Sequence, residues 1–492
     1  MASESISPLK GNKGGLLDAV IERGIILLLI FTPLAIGTVQ QWSIAIMEIV
    51  AFIVFGAWLM KAQGAKRIEQ GAEGREQGAK PLLLIFIGSL ILITILQIIP
   101  LSEQLLSLIS PSSSSVYKTF TNDAAGSWRT ISIYPDATRG ELFKLLSYAA
   151  IFLVIINHYR TRAQVYGIIH TVIYIGCFLV IFAIIQKMTW NGRLFWFYPL
   201  RQNLNSDMAY IWGPYINHNH FAGYLEMAIP LAMGFLLYKA SNIKSLPGIP
   251  LSKKIANFSD SGSIVPMVFL SLSVLIMSGG LFISLSRGGI IGFTVSMVFF
   301  TGITRTRRSL RKKAGVFALL GILIFFGVVM TSWSRIEDRF QEIGKEGRIM
   351  RIYVWRDTAN IIKDFPAFGT GLGTFRSIYP QYQTKYSQFL FEHAENDYIE
   401  ILTDTGFAGF TVVISMVIVF FCAVIKAWRR RHNIFVKCMV AGGLSSCVAI
   451  AAHSFTDFNM RIPANALLLT VIAALTYAAV YNVREKKAHE SN

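Results

Sequence analysis

The chain is poor in charged residues, which make up 15% of its 492 residues, whereas 53% are hydrophobic. Soluble domains carry roughly 25% charged residues, so this shortage argues against a water-soluble globular protein. Apolar runs recur along the whole chain, and those of about 18 residues or more can cross the hydrocarbon core of a bilayer. The sequence therefore predicts an all-α, polytopic membrane protein.

Cysteine is also scarce, and each of the four lies inside an apolar run: Cys177, Cys422, Cys438 and Cys447. They are interpreted as small hydrophobic residues, which excludes a disulfide framework and a cysteine metal centre. The first apolar run follows a polar start, has no convincing small-residue cleavage site and leads directly into a second run. We therefore expect no cleavable signal peptide and a first helix that is retained.

Acidic residues are fewer than basic ones, 28 against 46, which gives a net charge of +18. Nucleic acid is excluded as a partner, because the basic residues form short clusters between apolar runs, as membrane topology requires. Such clusters face anionic lipid headgroups. Membrane lipid is the partner that this charge predicts.

About twelve transmembrane helices are predicted. They cover residues 16–38, 42–60, 81–99, 142–158, 165–186, 221–239, 264–285, 288–304, 314–332, 398–425, 434–452 and 464–481. With both termini in the cytoplasm, 27 lysines and arginines lie inside and 17 outside, nine of the latter in one long loop, 333–397. Long loops weigh little in the positive-inside rule, so this orientation is favoured. It places 100–141, 187–220, 333–397 and 452–463 on the outer side.

Polar residues precede the sixth predicted span: Asn217, His218, Asn219 and His220. Asparagine and histidine at a helix start can cap the helix or hydrogen-bond sugar hydroxyls. The two histidines also suggest a metal, but no acidic third ligand lies nearby. We predict no metal here.

Arg287 stands between two apolar runs that have almost no loop between them. An arginine near membrane depth is unfavourable and usually has a functional partner. Gly288 and Gly289 let backbone approach a ligand, and the helix start that follows offers free N–H groups to an anion. The alternative is an arginine that reaches towards the interface from a tight hairpin.

The long outer loop is predicted to contain an amphipathic helix that runs from Gly347 to Asp364. It carries Arg348, Arg351 and Arg356, whose guanidinium groups can bind phosphate oxygens in a bidentate way. Each can instead pair with a loop carboxylate. The Gly369-Thr-Gly-Leu-Gly373 run follows no strand, so it indicates a turn and not a nucleotide site.

His393 opens a polar stretch at the entry to the tenth predicted span, and histidine is the side chain best suited to take a proton near neutral pH. Polar neighbours can orient the ring or hold an acceptor: Glu392, Glu395, Asn396, Asp397 and Tyr398. The alternative is a solvated loop histidine. A further polar segment, 453–465, either lines the same cavity or caps the last pair of helices.

In this order, the motifs resemble the O-antigen ligase and polymerase family of bacterial membrane glycosyltransferases. Those that carry the resemblance are Asn-His-Asn-His-Phe-Ala-Gly from Asn217, Ser-Arg-Gly-Gly at Arg287, the Arg351 stretch with Asp-x-Pro and Gly-x-Gly, His-Ala-Glu-Asn-Asp-Tyr from His393, and the 453–465 segment. The resemblance implies a GT-C-like fold. It divides the chain into N-terminal helices (1–199), a catalytic core (200–465) and a last helix with a cytoplasmic tail (466–492).

The resemblance also implies a metal-independent transferase without a cofactor, in the bacterial inner membrane with an extracytoplasmic active site. Its donor would be a glycan linked to undecaprenyl diphosphate, and its acceptor a hydroxyl of a glycan, lipid or protein. By motif position, Arg287 and Arg351 would hold the diphosphate, and His393 would be the base. Where the family often has a second histidine, this chain has Glu395.

A transporter or lipid flippase is the competing interpretation, since twelve helices with both termini inside fit that class. Against it, the motifs show no internal two-fold repeat. The polar residues also gather on one side instead of at the midplane.

Overall fold

The structure, a computed structural model, describes residues 12–66, 80–120, 128–199, 212–241, 264–306, 343–387 and 390–483. These residues are mostly helical and contain no extended strand, which confirms the all-α prediction. The helices are α1 (Asn12–Leu34), α2 (Gln41–Lys66), α3 (Lys80–Ile98), α4 (Glu103–Ile109), α5 (Pro111–Phe120), α6 (Pro135–His158), α7 (Arg162–Met188), α8 (His218–Ser241), α9 (Ile264–Ile283), α10 (Arg287–Arg305), α11 (Ile343–Asp364), α12 (Phe375–Ile378), α13 (Asp397–Arg430), α14 (Ile434–His453) and α15 (Pro463–Tyr481). Short 3₁₀ turns cover Ile36–Thr38, Tyr379–Gln381 and Asn459–Arg461.

Ten helices of the described ranges are long and apolar enough to cross a membrane: α2, α3, α6 to α10 and α13 to α15. Each coincides with a predicted span, so a polytopic membrane protein is confirmed. α1 is helical as predicted but is not among the ten, and Asp18, Glu22 and Arg23 lie in its first half. The predicted span 314–332 lies outside the described residues, and the total of twelve stays a prediction.

Three helices form the centre of the bundle. The apolar stretch of α8 is buried along its whole length, and most of the apolar stretches of α14 and α15 are buried too. Less than a third of the corresponding stretches of α2, α3 and α13 is buried. Since an apolar side chain is stable in hydrocarbon, these outer helices present their exposed apolar faces to lipid.

Glycines allow α8 and α14 to pack backbone against backbone. A Cβ atom at Gly442 would lie 2.7 Å from the carbonyl oxygen of Pro230, and one at Gly234 would lie 2.6 Å from that of Cys438. Small residues at such positions are what permits close helix approach in a membrane, where lipid is as apolar as leucine. The α8–α14 contact therefore depends on these two positions.

We expect Gly442→Ala to destabilise the protein by about 1–3 kcal/mol, because the methyl group meets fixed backbone and overpacks the contact. Gly88→Ala in α3 is the matched control, since a Cβ at Gly88 meets no atom within 4 Å. Thermal unfolding in detergent measures both. Equal midpoints for the two variants would show that the glycine contact is not needed.

Helix α13 is broken at Gly406, whose φ of 60° is favourable for glycine alone. The break lets Phe407 donate its N–H to the carbonyl of Pro366 at 2.8 Å. Residues 407–430 rise about 1.5 Å each and so extend about 36 Å, which suffices to cross the membrane by themselves. Residues 397–405 are thereby available to build a site at the end of the bundle.

The glycine run after α11 forms a turn, as the sequence predicts. Gly369, Gly371 and Gly373 have φ values of 69°, 109° and 80°. The turn docks on the broken helix, since Gly371 donates its N–H to the carbonyl of Asp404 and Gly373 donates to the Asp404 carboxylate. The turn thus fixes the first part of α13 in place.

Candidate active site

The turn between α14 and α15 (residues 454–462, the α14–α15 turn) is the centre of the candidate site. One face of the Phe458 ring stacks on His393, with ring centroids 4.3 Å apart, and the ring of His220 meets Phe458 edge-on at 4.8 Å. His220 comes from α8 and His393 from the segment before α13. The structure therefore brings together three of the polar segments that the sequence singles out.

His393 is held by Glu400. The capping residue Asn396 starts α13 by accepting hydrogen bonds from the N–H groups of Tyr398 and Ile399. One turn into the helix, Glu400 points back to the segment, where its carboxylate accepts from the N–H of Ala394 at 2.9 Å and contacts Nδ1 of His393 at 2.8 Å. A carboxylate only accepts, so Nδ1 carries the proton and Nε2 keeps its lone pair.

This contact makes His393 a good proton acceptor. Its side chain is 27% exposed, whereas that of Glu400 is 1% exposed. Burial disfavours the imidazolium, but the Glu400 carboxylate stabilises it more, and the pKa of His393 is raised above its ordinary value. The ring thus combines a fixed orientation, a raised basicity and partial access.

Arg461, in the α14–α15 turn, holds Glu400 from the other side. Its Nε lies 2.9 Å from Glu400 Oε1, and its guanidinium also pairs with Asp404 of α13. Glu141 of α6 lies 3.9 Å away. This buried guanidinium pairs with carboxylates of α6 and α13 and so connects both helices to the α14–α15 turn. It also fixes Glu400, the carboxylate that orients His393.

Arg351 reaches the same segment from α11. Its Nη2 lies 2.9 Å from Oε2 of Glu395, and one turn later Trp355 donates its indole N–H to the carbonyl of Ala394 at 3.0 Å. Burial and the charge of Asp457 raise the pKa of Glu395 to about 7, against the opposing effect of Arg351. Helix α11 is therefore bound to Ala394 and Glu395, the two residues that follow His393.

Arg287 is the first residue of α10, after the capping residue Ser286, whose hydroxyl accepts from the N–H of Gly289. The next residue, Gly288, touches the α14–α15 turn: a Cβ there would lie 2.4 Å from Cδ2 of His453 and 2.6 Å from Oγ1 of Thr456. Thr456 is two residues before Phe458. Arg287 and His393 consequently lie at the same end of the bundle, around one turn.

Two further histidines are paired with acids. His220 Nε2 lies 3.3 Å from Oδ1 of Asp457, and this contact holds the pKa of Asp457 below its ordinary range despite burial. His453 Nδ1 lies 3.0 Å from Oε1 of Glu226, with both side chains buried. Pairs of histidine and acidic side chains therefore extend from the α14–α15 turn into α8 and α14.

Three predicted site residues are engaged within the protein. Asn396 caps α13, Asp397 accepts from the hydroxyl of Ser454 at 2.7 Å, and Tyr398 donates to the carbonyl of Ala451 at 2.7 Å. These contacts fasten the start of α13 to the end of α14. The geometry therefore favours a positioning role for them, where the sequence suggested contact with substrate.

The remaining predicted residues lie around this cluster. Asn217 accepts the N–H of Asn219 at the start of α8, and His218 is the first residue of that helix. Glu392 is exposed and pairs with Arg376 at 2.9 Å. Arg348 lies three residues before Arg351 in α11.

Arg356 is exposed. At 100° per residue it lies about 140° around α11 from Arg351, so the two arginines do not share a face. Arg351 contacts the His393 segment through Glu395.

The sequence singles out the 453–465 segment, which contains Asp457 and Arg461, but it gives neither of these residues nor Glu400 a role in the site. One signal was present, because Glu400 and Glu226 are carboxylates at or inside apolar spans, where an ionisable residue usually has a function. Within the described ranges, no three His, Cys, Asp or Glu side chains are grouped so as to hold a metal ion.

Part of the chain is similar to a known protein family. Residues 272–414 match the family described as O-Antigen ligase, a segment that contains Arg287, Arg351, His393 and Glu400. No curated protein matches the chain. The resemblance seen in the motifs is thus confirmed over residues 272–414, which are similar to the O-antigen ligase family and support a role as a membrane ligase or polymerase.

Proposed function

We propose that the protein is a glycosyltransferase that takes glycan from an undecaprenyl-diphosphate-linked donor. The glycan passes to an acceptor hydroxyl at the outer face of the bacterial inner membrane. One observation carries the proposal: the imidazole of His393, whose Nδ1 contacts a buried carboxylate, lies two residues before Glu395, the partner of Arg351. Arg287 is set on the same side of the bundle.

His393 acts as the base in this proposal. Nε2 takes the proton of the acceptor hydroxyl while the hydroxyl oxygen forms a bond to the anomeric carbon. The bond from that carbon to the diphosphate oxygen breaks, and the diphosphate leaves with the bonding electrons. Attack opposite to the leaving group inverts the configuration at the anomeric carbon. A positioned base of this kind contributes typically about 10²–10⁴-fold to the rate.

Arg351 and Arg287 bind the leaving diphosphate. Negative charge grows on the bridging oxygen as the glycosidic bond breaks, and guanidinium groups already in place stabilise it without reorganisation. Arginine suits this task because its planar fork matches two phosphate oxygens at once. Arg348, which shares α11 with Arg351, is a further candidate for the same contact.

The charge distribution of the helix ends supports an outer location for the site. Basic residues lie where the spans end away from the α14–α15 turn: Lys61, Arg160, Arg162, Lys239, Arg305, Arg429 and Arg430. By the positive-inside rule that end faces the cytoplasm. The candidate site, at the other end, then meets donor in the outer leaflet.

Reconstituted protein supplied with lipid-linked repeat units alone tests the activity and identifies the acceptor. Elongation of the glycan identifies a polymerase, whereas transfer that begins only after a second acceptor is added identifies a ligase. Absence of glycan transfer with every acceptor class, in protein that remains folded, would refute the proposal.

The pH dependence of transfer tests the link between Glu400 and His393. The base form of His393 is lost as pH falls through its raised pKa, so the acid limb of kcat/KM should lie above pH 6.5. Glu400→Gln removes the charge that raises this pKa, while burial and Arg461 still lower it. We expect the acid limb to move to lower pH.

Asp136→Asn, in the exposed Asp136–Arg139 pair, is the control and should leave the acid limb unmoved. A Glu400→Gln enzyme whose acid limb coincides with that of the wild type would exclude this carboxylate as the partner of the base.

A further inference from the structure

The guanidinium that the proposed function assigns to the diphosphate is already occupied by a carboxylate. We propose that Glu395 is a built-in competitor for Arg351, which the lipid diphosphate must displace in order to bind. The inference rests on the proposed function, and it concerns a position where this chain departs from the pattern that its motifs otherwise follow.

The ion pair is placed so that a second anion can reach it. Arg351 Nη2 and Glu395 Oε2 are 2.9 Å apart, and the two side chains are 39% and 25% exposed. Arg461 and Glu400, by contrast, are 10% and 1% exposed. The Arg351–Glu395 pair is therefore more accessible than the Arg461–Glu400 pair.

The backbone on both sides of Glu395 is fixed. Ala394 donates its N–H to Glu400 and accepts from Trp355, and Asn396 caps α13. Glu395 itself has a φ of 55°, a left-handed conformation that is unfavourable for residues with a side chain. A conformation held in this way keeps the carboxylate at Arg351, so the pairing is a property of the folded segment.

The surrounding charges favour release of the carboxylate when an anion arrives. Three charged groups face Glu395: Arg351 from α11, Asp457 from the α14–α15 turn and His393 from its own segment. Burial and Asp457 already raise the pKa of Glu395 to about 7. A diphosphate on Arg351 adds negative charge and takes the favourable partner away, so Glu395 gains a proton on binding. Donor affinity should consequently rise as pH falls through about 7.

Binding of farnesyl diphosphate, a short isoprenoid diphosphate, tests the inference without requiring transfer. We expect Glu395→Gln to bind this probe about fivefold more tightly than wild type at pH 8, the magnitude of one partly exposed ion pair. At pH 6 the two proteins should bind almost equally, because Glu395 is then protonated in the wild type. The ratio of the two Kd values cancels the titration of the probe itself.

Three further variants test whether the tighter binding depends on the Arg351–Glu395 pair. Glu103→Gln breaks another 2.9 Å ion pair, with Lys118, and should leave the Kd unchanged. In an Arg351→Ala background the gain from Glu395→Gln should vanish. Glu395→Asn should reproduce the gain, since asparagine adopts the left-handed conformation more readily.

Equal Kd values for wild type and Glu395→Gln at pH 8 would overturn the competitor role and leave the proposed transferase intact. So would a gain that persists without Arg351. Failure of both proteins to bind the probe at any pH would overturn the diphosphate donor and this inference together.

Discussion

His393→Ala is expected to lower the rate of glycan transfer about 10²–10⁴-fold, the usual contribution of a positioned base. The substitution removes Nε2, the atom proposed to take the proton of the acceptor hydroxyl, while the arginines stay in place. Donor binding should therefore change little, and the loss should appear in kcat. Transfer by purified enzyme with saturating donor measures it.

His432→Ala provides the control, because His432 is an exposed histidine between α13 and α14, at the other end of the bundle. Both variants should remain folded, since Arg461 still pairs with Glu400 when His393 is removed. A His393→Ala enzyme that retains wild-type kcat would exclude His393 as the base.

Arg461→Gln is expected to destabilise the protein by about 3–5 kcal/mol, the effect of removing one partner from a buried ion pair. Asp404 would then lose its guanidinium in the interior, and Glu400 would keep His393 as its remaining charged partner. The Glu400 carboxylate would also lose the guanidinium that fixes it beside His393. Thermal unfolding in detergent measures the loss of stability.

The matched control is Arg376→Gln, in the exposed Arg376–Glu392 pair, where the change should be within about 1 kcal/mol. Adding Asp404→Asn to Arg461→Gln removes one of the stranded charges and should recover part of the stability. A single variant as stable as wild type would mean that the cluster does not depend on Arg461.

The spans could be predicted from the sequence because crossing a membrane is a local property of composition. Each predicted span in the described ranges is a helix, and most ends agree within a few residues. The largest difference between a predicted and an observed end is at the start of α6, which begins at Pro135 instead of residue 142. Proline and Asp136 lie in its first turn. Because these residues are not apolar, the hydropathy of the sequence does not show where the helix starts, although proline and an acid are favourable in a first turn.

The sequence predicts that His393, Arg351 and Arg287 lie around one site, but it does not predict the groups that position His393. The pairing of His393 with Glu400 depends on where Asn396 starts α13, and that of Glu400 with Arg461 joins residues 61 positions apart. Neither spacing has a signature in a single sequence. The break at Gly406 could not be predicted either, since a glycine in an apolar run does not by itself indicate a positive φ.

The buried acids illustrate why the site differs from the rest of the bundle. Glu226, Glu400 and Asp404 lie within helices that are otherwise apolar, and each is matched by a histidine or arginine from a different element. A charge in such surroundings is stable only when paired. Their concentration at one end of the bundle distinguishes the candidate site from the lipid-facing parts of the helices.

We propose that Arg287, Arg351 and the imidazole of His393 surround a single place where a lipid diphosphate binds. A cryo-electron microscopy structure with undecaprenyl diphosphate bound tests this arrangement. We expect phosphate oxygens within hydrogen-bond distance of Arg287 and Arg351, on the side that His393 Nε2 faces, with Glu395 moved off Arg351. Diphosphate bound at the opposite end of the bundle, or at this end without contact to either arginine, would contradict it.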